Sequence, residues 1–225
     1  MNVSAAFHRF FKALLALSVL LAAYVPVHAQ GNIPGYPDSV LAFDAREVAL
    51  LPLYCTYTQI FRDRVPGGNN PKIIDQWYAK LGQSFHAMHH YCWGLMKTNR
   101  ALFLARDQLA RRFYLTDALD ELDYVIKRVP EDFILLPEIL TRKGENLILL
   151  GKGQVGILEL ERAIELKPDY WPPYAHMSDY FKGLGDLKMA REVLERGLSL
   201  SPEAKGLLRR ADELKQAADR KKGAP

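Results

Sequence analysis

The feature that most constrains this chain is an internal repeat with a period of 34 residues. Pro168 and Pro202 lie 34 residues apart, and Gly151 and Gly185 have the same spacing. A weaker copy ends at Pro130, 38 residues before Pro168. Apolar and small positions recur between these markers: Leu140, Gly144, Leu147, Leu160 and Ala163 correspond to Tyr174, Ser178, Phe181, Leu194 and Gly197. Units of this length cannot bury an apolar face alone, so they are expected to stack on one another.

Each unit predicts two amphipathic helices, because its apolar residues recur three and four positions apart. Ala163, Ala190 and Gly197 are small residues at the places where two helices must approach closely. The proline that ends a unit cannot donate to a helix or fit its interior. No segment shows the alternation of a strand, so the sequence predicts an all-α protein.

Over residues 99–203 the pattern resembles tetratricopeptide repeats. The resemblance implies a right-handed helical solenoid of about three units, at residues 99–132, 137–170 and 171–203. An N-terminal helical cap at residues 30–98 and a capping helix with a basic tail at residues 204–225 complete the expected organisation. Two residues depart from the family pattern. Gly156 stands where alanine is preferred, and Arg106 stands where glycine or alanine is preferred.

The resemblance also implies a partner-binding surface. In this family the inner wall, built from the first helix of each unit, holds an extended peptide or a partner helix. Carried over position by position, this wall consists of nine residues: Arg100, Phe103, Asp107, Thr141, Glu145, Ile148, Ala175, Asp179 and Lys182. Their mixture of apolar groups and both signs of charge favours a protein or peptide partner, with plain solvated surface as the alternative for each.

The N-terminus is typical of a secretory signal peptide. Residues 1–12 contain Arg9 and Lys12 but no acidic residue, and an apolar run of about 13 residues follows. Val27 and Ala29 suit a peptidase that cleaves after Ala29. The apolar run is too short to span a bilayer, so a retained anchor is the weaker alternative. The sequence predicts an exported bacterial protein in the periplasm, without stable membrane insertion.

The charge balance does not favour a nucleic-acid partner. The chain contains 30 basic and 26 acidic residues. Removing residues 1–29 takes away two basic residues and no acidic ones. The small excess that remains lacks the strong basic footprint of nucleic-acid-binding proteins.

Two cysteines, Cys55 and Cys92, are present. In an oxidising compartment an even pair is expected to form a disulfide. Two buried thiols, or one thiol acting as a metal ligand, are the alternatives. The chain has no Cys-x-x-Cys spacing that would indicate a redox motif.

A histidine-rich run at residues 85–93 is the sharpest local feature. On a helix, His86 and His90 share a face and His89 lies beside them, so the run offers an alternative function in binding a metal or small ligand. The run supplies no further ligand except Cys92. The simpler interpretation is an aromatic core of Trp77, Phe85, Tyr91 and Trp93 with the histidines at its edge.

No nucleophile or phosphate-binding motif is present, so the sequence predicts neither an enzyme nor a cofactor. The leading hypothesis is therefore an adaptor or scaffold that binds a protein or peptide in an envelope, secretion or polymer-export assembly.

Overall fold

The computed structural model describes residues 44–222, so the predicted signal peptide lies outside the described residues. Within residues 44–222 every regular element is a helix. In this part of the chain, two 3-10 segments, Leu53–Tyr57 and Gly82–Ala87, accompany nine α-helices. These α-helices are α1 (Ala45–Val48), α2 (Pro71–Leu81), α3 (Met88–Phe103), α4 (Gln108–Ile126), α5 (Leu136–Leu149), α6 (Gly153–Leu166), α7 (Pro172–Gly183), α8 (Leu187–Leu200) and α9 (Lys205–Lys222).

The long helices pack as consecutive antiparallel pairs. The pairs are α3 with α4, α5 with α6, and α7 with α8, and successive pairs contact through α4–α5 and α6–α7. The first helices of the pairs also contact one another in order, with α3 against α5, α5 against α7 and α7 against α9. We call α3, α5, α7 and α9 the first-helix layer. This arrangement confirms the predicted tetratricopeptide-like helical solenoid.

Local sequence signals set several helix boundaries. The side chains of Asn70, Asp107 and Asp186 each accept a hydrogen bond from the backbone N–H three residues later, which caps α2, α4 and α8. Gly151 and Gly185 take positive φ angles of 79° and 81° in the turns inside two pairs. Only glycine adopts this backbone conformation without strain, which is why these two residues repeat in the sequence.

The C-terminal helix closes the solenoid. Leu207 and Leu214 of α9 are buried in the same cluster as Tyr174 of α7 and Leu194 of α8. A side chain on Gly197 of α8 would collide with Leu207. This burial removes the apolar edge of the last pair from water, so α9 acts as the predicted capping helix.

The structure places the start of the first unit before residue 99, where the sequence predicted it. Helix α3 runs from Met88 to Phe103 without a break, so its first eleven residues fall in the segment that the sequence assigned to the N-terminal cap. The repeat pattern was obscured because α3 is buried on nearly all sides and lacks a polar face. Its partner α4 is also five residues longer than the second helices α6 and α8.

The predicted disulfide is present and ties residues 44–70, which we call the N-terminal segment, to the first pair. Cys55, in the first 3-10 segment, bonds to Cys92 of α3, with a Cα–Cα distance of 5.7 Å. Both cysteines are fully buried. The bond fixes the segment before α2 against the first-helix layer.

Candidate partner-binding cleft

A cleft of about 280 Å³ opens between the first helices of the first two pairs. Three parts of the chain line it. The N-terminal segment contributes Leu50, Leu51 and Pro52, helix α3 contributes Leu95, Thr98, Asn99 and Leu102, and helix α5 contributes Glu138, Arg142 and Glu145. We call this feature the α3–α5 cleft.

Buried polar contacts fix the spacing between the two helices of the cleft. The Asn146 side-chain amide donates to the Thr98 hydroxyl at 2.8 Å, and that hydroxyl donates to the Gly94 carbonyl at 2.9 Å. Thr98 and Asn146 are almost completely buried. Because buried polar groups are costly without partners, this pair favours one register of α3 against α5.

The charges of the cleft come from one face of α5. Arg142 pairs with Glu145 at 3.0 Å, and the Tyr91 hydroxyl donates to Glu138 at 2.7 Å. Burial alone would lower the pKa of Arg142, but Glu145 and the neighbouring acidic groups hold that pKa above its ordinary value. The cleft therefore presents a fixed guanidinium between two carboxylates, next to apolar leucines.

The N-terminal segment covers α3 and forms one wall of the cleft. Glu47 makes two hydrogen bonds with Arg100, and the Nη2–Oε2 distance is 3.0 Å. Burial opposes ionisation of Glu47, but hydrogen bonding, first from Arg100, outweighs it and lowers the pKa of this carboxyl. Tyr54 packs edge-on against Trp77 with ring centroids 5.6 Å apart. The segment is thus part of the folded surface that a partner would meet.

Three of the predicted wall residues cannot contact a partner, because Arg100, Thr141 and Ala175 are no more than 2% exposed. Arg100 is paired with Glu47 beneath the N-terminal segment, and the Thr141 hydroxyl donates to the carbonyl of Pro137. These three predictions are wrong. The reason is that the corresponding faces of α3, α5 and α7 pack against other parts of the protein.

Other predicted wall residues are engaged in structural contacts. Asp107 lies after the end of α3, where its carboxylate caps α4. Asp179 pairs with Arg210 at 2.7 Å and Lys182 pairs with Glu213 at 3.1 Å, so α9 occupies this part of the wall. Ile148 is half-buried against the second core cluster.

The two remaining predicted wall residues are Phe103 and Glu145, and the structure does not bring them together. Glu145 lies in the α3–α5 cleft, whereas Phe103 is 71% exposed at the end of α3. Glu145 is the one cleft residue among the nine predicted wall residues, and Leu95 and Thr98 were missed because the first unit was started too late in the chain. A signal for α5 was present, since Glu138, Arg142 and Glu145 are spaced four and three apart and therefore share a helix face.

The histidines do not form the metal pair that the alternative function requires. The 3-10 segment continues to Ala87, so His86 and His90 do not share one α-helical face. His86 contacts the Tyr78 hydroxyl at 2.9 Å, whereas His90 pairs with Glu121 and stacks on Tyr124. Across residues 44–222, no group of three His, Cys, Asp or Glu residues is placed to hold a metal ion. The metal hypothesis that used His86, His89 and His90 is therefore not supported by the geometry.

The simpler interpretation of this run agrees with the structure. Phe85, Tyr91 and Trp93 are buried in the first core cluster, and Trp77 packs against it. The histidines lie at the edge of this aromatic core.

His176 on α7 lies next to the cleft charges, 3.9 Å from Glu145. Burial lowers its pKa, as do Arg142 and Arg210, while Glu145 and Asp179 act in the opposite direction. The neutral imidazole is thus favoured in the folded state. The neutral His176 imidazole stabilises the folded state fully above the unfolded pKa of about 6.5. This stabilisation is lost as pH falls through the folded pKa of His176.

We expect replacement of His176 by glutamine to reduce the pH dependence of stability. The wild-type free energy of unfolding should fall between about pH 7 and about pH 5 because folding opposes protonation of His176. Glutamine cannot take up this proton, so the decrease should be smaller in His176→Gln. Urea unfolding at both pH values measures the difference. The same decrease in both proteins would contradict this role of His176.

Comparison with known proteins supports the repeat assignment. No protein-family model and no solved structure matches this chain. A curated protein from Triticum aestivum, named Hsp70-Hsp90 organizing protein, is 37% identical over 80 residues. This relative is a co-chaperone that contains tetratricopeptide repeats. The fold is tetratricopeptide-like. The match covers 36% of this chain and only 14% of the relative.

Among the helices of residues 44–222, none is both long enough and apolar enough to cross a bilayer.

Proposed function

We propose that this protein is an adaptor that binds an extended segment of a partner protein in the α3–α5 cleft. The observation that supports this function is the position of the cleft, between the first helices of successive tetratricopeptide-like pairs. Stacked repeats bind partners along such surfaces. Binding, rather than catalysis, is proposed as the activity.

The chemistry of the cleft favours a peptide over a small apolar ligand. Leu50 and Leu102 offer contacts to apolar side chains, while Asn99 and Arg142 offer hydrogen-bond donors for backbone carbonyls or a carboxylate. An extended peptide carries both kinds of group. Similarity to a protein named for organising Hsp70 and Hsp90 also supports a protein partner.

The proposed setting is the periplasm, within an envelope, secretion or polymer-export assembly. This part of the proposal rests on the predicted signal peptide at residues 1–29. Crosslinking in the native cell, followed by identification of the captured protein, tests the partner and the setting together. Capture of a cytosolic partner would contradict the periplasmic setting and leave the adaptor role intact.

The double variant Asn99→Ala and Leu102→Ala is expected to weaken binding of the captured partner at least about tenfold, because both side chains line the cleft. Neither is fully buried, so each change should cost only about 0.5 kcal/mol of stability. Titration of the purified partner with both proteins measures the loss.

A matched control removes an amide and a leucine from an exposed face outside the cleft. Gln154 and Leu158 lie four residues apart on α6 and are both exposed. The control Gln154→Ala with Leu158→Ala should bind like the wild type. Equal affinity of the cleft variant and the control would exclude the α3–α5 cleft as the binding site.

A further inference from the structure

An exposed apolar cluster lies at the corner where α3 turns into α4. Phe103 is 71% exposed, Leu104 is 50% exposed and Leu109 is 74% exposed. Leu102 and Phe113 add partly exposed apolar surface on either side. We call Leu102, Phe103, Leu104, Leu109 and Phe113 the apolar corner. Exposed apolar side chains grouped at one turn indicate an interaction site.

The other intra-pair turns do not share this composition. At the α5–α6 turn the exposed residues are Gly151 and Lys152. At the α7–α8 turn Leu184 is exposed, but Gly185 and Asp186 accompany it. The repeat architecture therefore does not require an apolar turn, and the cluster at the first turn needs another explanation.

Arginines surround the apolar corner. Arg106 lies in the turn and Arg112 on the first turns of α4, and both are exposed. Neither forms an ion pair with another residue in the described part of the chain. The carboxylate of Asp107, between them, accepts the N–H of Ala110 at the start of α4. The corner thus presents apolar side chains together with cationic groups that are available to an anion.

We propose that the apolar corner docks on an anionic lipid surface. Phe103 and Leu109 are largely exposed to solvent, so they can enter the interface between headgroups and acyl chains without a complementary pocket. Arg106 and Arg112 are placed to contact the phosphates of anionic lipids. This docking goes beyond the proposed adaptor function, which uses the α3–α5 cleft, and the two surfaces share Leu102.

Vesicle sedimentation with the purified protein tests the proposal. The wild type should sediment with vesicles of phosphatidylcholine that contain about one-third phosphatidylglycerol, and much less with phosphatidylcholine alone. Phe103→Ser with Leu109→Ser should reduce the bound fraction at least about fivefold. Arg106→Glu with Arg112→Glu should remove the preference for anionic vesicles. Leu102 is left unchanged because it also lines the cleft.

The control Val155→Ser with Leu158→Ser removes two comparably exposed apolar side chains from α6 and should bind vesicles like the wild type. Thermal melts establish that every variant is folded. Absence of wild-type binding, equal binding to both vesicle types, or an unaffected corner variant would overturn the proposal. A wild-type protein that binds no vesicles but forms a dimer in light scattering would also overturn it, if Phe103→Ser with Leu109→Ser dissociates that dimer. The corner would then contact a second copy.

Discussion

Reduction of the Cys55–Cys92 disulfide is expected to lower the melting temperature by about 10 °C. The bond closes a loop between residues 37 positions apart. Chain-entropy reasoning assigns a loop of this length about 4 kcal/mol of stabilisation, because the cross-link restricts the unfolded chain. In a domain of this size, each kcal/mol shifts the melting temperature by about 2–4 °C.

Release of this bond should also loosen the wall of the cleft. Cys55 lies three residues after Pro52, which lines the α3–α5 cleft. Hydrogen exchange should therefore increase first in the segment before α2, while the α7–α8 pair stays protected. Calorimetry with and without reductant measures the stability change, and Cys55→Ser with Cys92→Ser serves as the control that no longer responds to reductant. Two alkylatable thiols in protein isolated without reductant would contradict the bond.

Substitution of Gly156 by alanine is expected to destabilise the protein by about 1–2 kcal/mol, although alanine is the better helix former. Gly156 on α6 faces Gly144 on α5. A Cβ atom at Gly156 would lie 2.7 Å from the Gly144 carbonyl oxygen and 2.8 Å from a side-chain carbon of Ile148. The first of these neighbours is backbone, so the two helices would have to move apart. This overpacking outweighs the gain of about 1 kcal/mol in helix propensity.

Gly183 provides the matched control for this prediction. It is the last residue of α7, and a Cβ atom there would meet no heavy atom within 4 Å. Gly183→Ala should leave stability unchanged or raise it slightly. Urea unfolding of both variants gives the comparison. Equal stability of Gly156→Ala and the wild type would show that α5 and α6 can separate without cost.

The same glycine pair accounts for a departure from the family pattern. The resemblance to tetratricopeptide repeats made alanine the expected residue at position 156. In this protein, α5 and α6 approach so closely at Gly144 and Gly156 that neither position accommodates a methyl group without displacement. The sequence shows that Gly156 differs from the tetratricopeptide pattern, and the short distance between α5 and α6 supplies the reason.

The sequence alone determined the helix pairing in the later part of the chain. Gly151 and Gly185 are needed where the backbone takes a positive φ, and the prolines exclude helix interior, so both signals can be recognised without tertiary contacts. The resemblance likewise placed a capping helix at residues 204–225. The Cys55–Cys92 bond was inferred from there being two cysteines and a predicted export signal.

Tertiary structure decided the beginning of the first unit and the position of the candidate site. Because the N-terminal segment covers α3, this helix has no polar face, and periodicity could not show where it starts. Burial of Arg100 beneath that segment, and pairing of Asp179 with α9, depend on contacts between residues more than 30 positions apart. Side-chain type at a repeat position predicts which face of a helix a residue occupies. Which face stays open to a partner depends on what else the chain folds against it.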